Sequence, residues 1–143
     1  MTNEQKINIL LVDDDDVSAE SVVRSLRKNA VDFPITLARD GIEALEILRF
    51  AHPHLRIEKP YLVLLDLNMP RMDGREALHN IKNDDNLRGI PIVILTTSKQ
   101  EEDMVRGYNL GAASYITKPV NMDSFDEAIA TIENFWSGMT CLP

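Results

Sequence analysis

The sequence predicts an α/β protein with a five-stranded, doubly wound parallel sheet and five flanking helices. Two features of its patterning support this class. Five short apolar runs alternate along the chain with segments in which apolar residues recur at helical spacing, and such alternation is typical of α/β sheets. The first, third and fourth runs are almost continuously apolar and rich in Val, Ile and Leu, which indicates strands buried on both faces.

The predicted strands are these five apolar runs. They span Ile7–Val12, Ile35–Ala38, Tyr61–Leu65, Ile90–Leu95 and Ser114–Thr117. The second and fifth runs are the less apolar ones, so we expect those two strands nearer the edges of the sheet.

The predicted helices lie between the strands and after the last one. The first helix carries Val22, Val23 and Leu26 at helical spacing. We expect Asp16 or Ser18 to cap it, because a short side-chain oxygen can accept hydrogen bonds from free backbone N–H groups. The other four helices are predicted over Gly41–Ala51, Gly74–Asn83, Gln100–Leu110 and Met122–Trp136.

Apolar spacing in the later helices gives two further predictions. The final helix has one clear apolar stripe, and Asn121 or Asp123 is expected to cap it. Met104 and Tyr108 in the fourth helix could lie in the core or on an exposed face, and their helical spacing favours the core.

Length and composition limit the classes of protein. At roughly 150 residues per domain, the 143 residues predict one domain, with a core over about 7–136 and a short tail at 137–143. The net charge of −8 disfavours binding to nucleic acid or to a membrane surface, since both need clustered cations. Cys141 is the single cysteine, and the chain has no long apolar run. A cytoplasmic protein is therefore expected.

Charged and hydroxyl side chains follow four of the predicted strands where each ends. These are Asp13–Asp16, Asp66, Thr96–Ser98 and Lys118. Because the carboxyl ends of parallel strands meet at one edge of the sheet, we expect them to form one site. Carboxylate oxygens suit Mg²⁺, a lysine and a hydroxyl suit phosphoryl oxygens, and a strand-end aspartate can accept a phosphoryl group. On its own the acidic run is typical of a solvated turn, so it is the combination that indicates a site.

Four motifs at these strand ends resemble those of the response-regulator receiver domain, and the resemblance covers nearly the whole chain. The motifs are Leu10-Leu11-Val12-Asp13-Asp14, Leu64-Leu65-Asp66-Leu67-Asn68-Met69-Pro70-Arg71-Met72-Asp73-Gly74, Ile94-Leu95-Thr96-Thr97-Ser98 and Tyr115-Ile116-Thr117-Lys118-Pro119. They occur in the family's order. The resemblance implies the CheY-like, flavodoxin-like fold and a phosphorylation-dependent switch in a two-component phosphorelay.

The resemblance also implies an acceptor and a metal site. Asp66 would accept a phosphoryl group from the histidine of a kinase. Asp13, Asp14 and Asp66 would bind Mg²⁺, with Asp13 acting partly through water, and the backbone carbonyl of Asn68 would complete the protein ligands.

Further positions would stabilise the phosphoryl group and transmit its presence. Thr96 would hydrogen-bond the phosphoryl group, and Lys118 would pair with it. The rotamer of Tyr115 would change together with the position of Thr96 on phosphorylation. This would change the face formed by helix four, strand five and helix five. Asn68 and Ser98 would influence the phosphoryl lifetime. A downstream protein target or a phosphotransfer protein would read the change.

Three segments suggest a narrower group, the stand-alone regulators that partner phytochrome-type histidine kinases. The motif Leu95-Thr96-Thr97-Ser98 and the ending Phe135–Pro143 resemble that group, and the connection Arg49–Pro60 is longer than many receivers need. That group tends to form homodimers. Phe135 and Trp136 are adjacent, so one helix stripe cannot easily bury both. Either one of them faces a partner or the tail, or both cover the core together with Leu142.

Two other functions fit part of the sequence. Asp13–Val17 matches the Asp-x-Asp-x-Val start of haloacid-dehalogenase-like phosphatases, in which Asp13 would be the nucleophile. That family needs an acidic pair after a later strand, which the chain lacks, and Asp66 would stay unexplained. An unphosphorylated receiver scaffold is the other alternative, although every site position is intact. The sequence assigns no role to the loop His52–Pro60 or to Cys141.

Overall fold

The computed structural model of the chain describes residues 8–28, 33–51, 61–67, 69, 74–108, 110–121 and 123–130. Within them the strands are β1 (Asn8–Val12), β2 (Ile35–Ala38), β3 (Tyr61–Asp66), β4 (Ile92–Thr96) and β5 (Ser114–Thr117). The helices are α1 (Asp16–Lys28), α2 (Gly41–Leu48), α3 (Gly74–Lys82), α4 (Lys99–Gly107) and α5 (123–130). This alternation confirms the predicted α/β class.

The strands form one parallel sheet in the order β2-β1-β3-β4-β5. β2 and β5 are the edge strands, as their weaker apolar character predicts. The order reverses at the central pair, where Val12 of β1 lies opposite Leu65 of β3. In doubly wound sheets, ligands bind beyond the carboxyl ends of the strands at this reversal. The topology therefore directs attention to the residues that follow β1 and end β3.

Apolar side chains cover both faces of the sheet. Leu10 and Leu65 belong to one core cluster, together with buried residues of α2, α3 and α4, whereas Leu11 and Leu64 belong to the other, together with buried residues of α1 and α5. All four are at most 1% exposed. Burial on both faces explains why the central strands are continuously apolar rather than alternating. It also fixes the strand register, because a slip of one residue would exchange the two faces.

Several element boundaries differ from the predicted ones for local reasons. β4 begins at Ile92 rather than at Ile90, because the Ile90 amide donates to the Leu87 carbonyl (2.9 Å) in a turn and Pro91 has no N–H. α2 ends at Leu48, before Ala51, because Phe50 adopts a φ of 58° that a helix cannot accommodate.

The cap predicted for α1 is wrong. The helix begins at Asp16, and the capping residue is Asp15, whose carbonyl accepts from the Ala19 amide (2.9 Å) and whose carboxylate accepts from the Val17 amide (3.0 Å). Ser18 has a different role, described below. A run of four aspartates offers several acceptable caps, and the sequence alone does not select among them.

The cap predicted for α5 is confirmed at Asn121. Its side-chain oxygen accepts a 2.9 Å hydrogen bond from the Ser124 amide, and its carbonyl accepts one of 3.0 Å from the Phe125 amide. Phe125 is buried against the sheet, so the cap sets the position where the apolar stripe of α5 begins.

The core positions favoured for Met104 and Tyr108 are wrong. Their side chains are 50% and 61% exposed. The inner face of α4 is instead formed by Val105 and by the carboxylate-bearing Glu102, both buried. Helical spacing gave the correct period but the wrong phase, because a buried charged residue occupies a position where an apolar one is expected.

Several predictions fall outside the described residues: Asn68, Phe135, Trp136, Cys141, the His52–Pro60 loop and the 137–143 tail. None of the helices in the described ranges combines the length and the apolar character that a bilayer crossing needs.

Candidate functional site

Four parallel strands bring the predicted site residues to one edge of the sheet. Asp13 follows β1, Asp66 ends β3, Thr96 ends β4 and Lys118 follows β5. Asp66 pairs with Leu95 and Thr96 pairs with Thr117 across the ladder, which brings these chain ends level with one another. Burial of the strands on both faces holds this register, so the sheet itself brings these positions together.

Three carboxylates converge at this edge. Asp13, Asp14 and Asp66 each offer an oxygen, and these oxygens lie within 4.8 Å of one another. Asp13 and Asp66 are 1% and 5% exposed, whereas Asp14 is exposed to solvent. Buried carboxylates this close repel one another unless a cation neutralises them. Their oxygens are the hard ligands that Mg²⁺ and Mn²⁺ accept, and the exposed side leaves room for water and phosphate oxygens.

Lys118 supplies the cationic group beside this cluster. Its Nζ donates a 2.7 Å hydrogen bond to Ser18 Oγ and lies 3.5 Å from Asp13 Oδ2 and 3.7 Å from Asp66 Oδ2. The side chain is only 17% exposed. The ammonium group therefore bridges α1, β1 and β3, and it faces the carboxylate predicted to accept the phosphoryl group.

A cavity of about 440 Å³ opens over these groups. It is lined by Asp14, Asp15, Ser18, Asp66, Thr97 and Lys118. Its lining combines carboxylates, two hydroxyls and one ammonium group, and it is open to solvent. A cavity with this lining can receive a phosphoryl group and a hydrated cation.

Sequence reasoning missed one hydroxyl of this cavity. Ser18 was expected only as a cap, whereas Thr97 was expected at the site edge without a role of its own. A serine in the first turn of a helix that follows the acidic run could have indicated a contact with the site, since that turn faces the carboxyl edge of the sheet. Asp13 also has a structural role, because its Oδ1 accepts a 3.0 Å hydrogen bond from the Asp15 amide.

Thr96 lies behind the cavity rather than on its surface. It is completely buried, and its hydroxyl lies 3.2 Å from Thr117 Oγ1, 3.4 Å from the Ser98 carbonyl and 3.5 Å from the Ile116 carbonyl. All three neighbours lie on the β5 and α4 side. The hydroxyl is therefore in the right strand position for the predicted role but is engaged away from Asp66.

Ser98 caps α4. Its Oγ accepts a 3.1 Å hydrogen bond from the Glu101 amide, and its carbonyl accepts one from the Glu102 amide at 3.0 Å. The residue is exposed. The cap fixes the first turn of α4 next to the end of β4, so the orientation of this helix is tied to the site edge.

Tyr115 is half-buried against the core beneath α4. The Arg106 guanidinium lies 4.9 Å from the centre of the Tyr115 ring, and its Nη2 donates to the Tyr115 carbonyl at 3.2 Å. Stacking of this kind stabilises one position of the ring. The predicted switch aromatic is therefore held by a side chain of α4.

Gly74 is required by the close approach of α3 to β3. A Cβ at this position would lie 2.6 Å from the Asp66 carbonyl oxygen and 2.7 Å from Leu67 Cα. The Gly74 amide donates to the Leu67 carbonyl at 2.9 Å. The glycine that ends the third-strand motif thus has a steric reason: the start of α3 rests on the backbone that carries Asp66.

Comparison with known proteins identifies the class. The family model described as response regulator receiver domain matches residues 9–130. The chain therefore belongs to the receiver-domain family of response regulators, as its fold and strand-end residues indicate. The matches give no support to the phosphatase alternative.

Individual response regulators are similar to this chain over nearly its whole length. The chain is 37% identical over 142 residues to Response regulator Rcp1 of Synechocystis sp. (strain ATCC 27184 / PCC 6803 / Kazusa), covering 99% of this chain and 96% of that protein. The structure of the bacteriophytochrome response regulator AtBRR aligns with a TM-score of 0.78 and 39% identity, covering 90% of this chain and 93% of that one.

Two further solved structures bear on the chemistry. The phosphorylated cyanobacterial phytochrome response regulator RcpA aligns with a TM-score of 0.69 and 37% identity, over 97% of this chain and 99% of that one. The Mn²⁺-bound form of Rcp1 aligns with a TM-score of 0.66 and 38% identity, over 92% of this chain and 94% of that one. This chain is therefore a response regulator similar to those of phytochrome systems.

Proposed function

We propose that this response regulator acts as a single receiver domain that accepts a phosphoryl group on Asp66 from a histidine kinase. One observation carries the proposal. The buried Asp66 carboxylate lies 3.7 Å from the Lys118 ammonium and within 4.8 Å of two further carboxylates, at a cavity of about 440 Å³. A carboxylate nucleophile, a cation for the incoming charge and an oxygen-rich metal site are the groups that phosphoryl transfer to a carboxylate needs.

The chemistry is a single displacement at phosphorus. An Asp66 oxygen attacks the phosphorus of a kinase phosphohistidine whose other ring nitrogen is protonated, the P–N bond breaks, and the imidazole leaves as a neutral ring that keeps this proton. A divalent cation held by Asp13, Asp14 and Asp66 would neutralise the phosphoryl oxygens, and we assign Mg²⁺ to that role. Lys118 pairs with the acyl phosphate once it has formed. Hydrolysis by water, also assisted by this site, would return the carboxylate.

Similarity to named regulators supports the metal and partner assignments. A Mn²⁺-bound form of Rcp1 and a phosphorylated form of RcpA have been solved, which supports a divalent cation and phosphorylation here. The relatives from phytochrome systems support a phytochrome-type histidine kinase as the donor. A cytoplasmic location fits both the metal assignment and the partner assignment. The backbone carbonyl of Asn68 is proposed as the remaining protein ligand.

The output is proposed to be a docking surface. α4, β5 and α5 would change between two populations when the Asp66 phosphate forms, and a target protein or a phosphotransfer protein would bind one of them. Exposed Met104 lies on α4 and exposed Tyr108 caps its C-terminal end, where such a partner would contact them. Homodimerisation through Phe135 or Trp136 is a further proposal. Light scattering that finds only monomer, with and without a phosphoryl mimic, would exclude it.

The test is intact mass after incubation with acetyl phosphate. The wild-type chain is expected to gain one phosphoryl group only when Mg²⁺ is present, and Asp66→Asn is expected to gain none. Asp13→Asn is the matched control for the phosphatase chemistry, in which Asp13 would be the nucleophile. Labelling of Asp66→Asn together with loss of labelling in Asp13→Asn would contradict the receiver assignment. A wild-type chain that neither gains mass nor binds beryllofluoride would instead be a scaffold.

A further inference from the structure

Glu102 is a buried carboxylate outside the phosphoryl cavity. It lies on the inner face of α4 and is 5% exposed. Its two oxygens accept hydrogen bonds from Thr117 Oγ1 (2.8 Å), Lys99 Nζ (2.8 Å) and Arg106 Nε (3.0 Å). Burial opposes its ionisation, but these hydrogen bonds outweigh burial and lower the pKa of Glu102. The carboxylate is therefore charged at neutral pH, and it can only accept hydrogen bonds.

This charge fixes the direction of the next hydrogen bond. A threonine hydroxyl has one proton, and Thr117 uses it for the 2.8 Å bond to Glu102. Thr117 Oγ1 can then act only as an acceptor toward the Thr96 hydroxyl, 3.2 Å away. The Thr96 proton consequently points toward β5. Its two other neighbours, the carbonyls of Ser98 and Ile116, are acceptors as well and lie on the same side.

A phosphoryl group on Asp66 would compete for that same proton. Phosphoryl oxygens are acceptors, so the Thr96 hydroxyl can reach them only by turning away from Thr117. We propose that Thr117 and Glu102 are positioning residues that hold the Thr96 hydroxyl in its unphosphorylated orientation and so weaken phosphoryl binding at Asp66. The inference rests on the proposed function and adds an opposing contact to it.

The same carboxylate also reaches the switch aromatic. Glu102 holds Arg106, and the Arg106 guanidinium lies over the Tyr115 ring. A contiguous chain of contacts therefore joins the Thr96 hydroxyl, the Thr117 hydroxyl, the Glu102 carboxylate, the Arg106 guanidinium and the Tyr115 ring. Turning the Thr96 hydroxyl toward a phosphoryl group breaks its contact with Thr117. Glu102 is therefore linked through Thr117 to the site edge and through Arg106 to the Tyr115 ring.

The first test removes the Thr117 hydroxyl. Binding of beryllofluoride with Mg²⁺ is measured by calorimetry for the wild type, Thr117→Val and Thr117→Ser. Thr117→Val is expected to bind about twofold to tenfold more tightly, because the competing hydrogen bond is worth about that factor. Thr117→Ser keeps the hydroxyl and is expected to bind like the wild type. In the unliganded Thr117→Val protein, the Thr96 amide resonance should move toward its position in the beryllofluoride-bound wild type.

The second test removes the charge of Glu102 and keeps its shape. Glu102→Gln is expected to tighten beryllofluoride binding in the same direction, since a neutral amide no longer forces Thr117 to donate. Asp103→Asn is the matched control: it removes an exposed carboxylate of the same helix that pairs only weakly, with Lys99 at 3.8 Å. Equal tightening by Asp103→Asn would assign the effect to net charge and overturn the role of Glu102.

The outcomes separate this inference from the proposed function. If the wild type binds beryllofluoride and Thr117→Val binds no more tightly than Thr117→Ser, the inference is wrong and the proposed function stands. If the wild-type chain binds no beryllofluoride, the proposed function fails and the inference falls with it. Thermal melts of each variant establish that a weaker affinity does not come from unfolded protein.

Discussion

Lys118 donates a 2.7 Å hydrogen bond to Ser18, a residue 100 positions earlier in the chain. This contact is shorter than the approach of the same ammonium group to Asp13 (3.5 Å) or to Asp66 (3.7 Å). Because a lysine has three donors, the Ser18 bond can persist while another proton faces the phosphoryl oxygens. Ser18 therefore orients Lys118 over the cavity that both residues line.

Removal of this orienting hydroxyl should slow phosphorylation. Ser18→Ala is expected to reduce the initial rate of labelling by acetyl phosphate by about threefold to tenfold, the factor for losing the net worth of one ordinary hydrogen bond. Lys118→Ala should reduce it further, because the charge itself is lost. Ser21→Ala is the control, since Ser21 is exposed on the same helix. Labelling of Ser18→Ala at the Ser21→Ala rate would show that the contact has no role in orientation.

The carboxylate cluster should reduce stability when no cation is bound. Asp14→Asn removes one of three carboxylates whose oxygens lie within 4.8 Å, so we expect its melting temperature in EDTA to rise by a few degrees. Added Mg²⁺ should raise the melting temperature of the wild type more than that of Asp14→Asn, because binding to the native state stabilises it. Asp103→Asn, outside the cluster, should show neither effect. Equal Mg²⁺ responses in all three proteins would contradict a metal site here.

The contact between α3 and β3 predicts a severe effect from a single methyl group. Gly74→Ala places a Cβ 2.6 Å from the Asp66 carbonyl oxygen, and overpacking against backbone typically costs about 1–3 kcal/mol. Urea unfolding measures this loss, and labelling should also slow because the acceptor strand must shift. Gly89→Ala is the control, since no atom lies within 4 Å of its Cβ position. If both variants are equally stable, α3 does not depend on this close approach.

Strand-end chemistry was the part of the site that the sequence could predict. Asp13, Asp66, Thr96 and Lys118 follow apolar runs, and a parallel sheet brings such residues together whatever the connecting segments do. The boundaries were predicted less well because they depend on single hydrogen bonds. Ile90 was expected in β4, but its amide is hydrogen-bonded to Leu87 in a turn. The apolar periodicity of the sequence does not reveal such a bond.

Buried polar contacts were the part that periodicity could not predict. Glu102 occupies an inward position of α4, so the apolar pattern gave the wrong exposure for Met104 and Tyr108. The burial of a carboxylate is acceptable only because Thr117, Lys99 and Arg106 satisfy it. Of these partners, only Lys99 and Arg106 are at helical spacing from Glu102, and Thr117 is brought to it by the sheet.

The ionisation of Glu102 predicts how stability depends on pH. Because the pKa of Glu102 is lowered in the folded chain, the unfolded state binds more protons in acid, and the stabilisation is present above the ordinary glutamate pKa of 4.5 and is lost as pH falls through the folded-state value. At neutral pH, Glu102→Gln should be less stable than the wild type by about 1.5–3 kcal/mol, the range for hydrogen bonds to a charged group. Urea unfolding of both proteins between about pH 7 and pH 3.5 measures the difference. The difference in unfolding free energy should shrink below about pH 4.5. The site carboxylates are present in both proteins, so their contribution cancels in this difference. A difference that stays constant or grows in acid would show that the charge of Glu102 does not stabilise the fold.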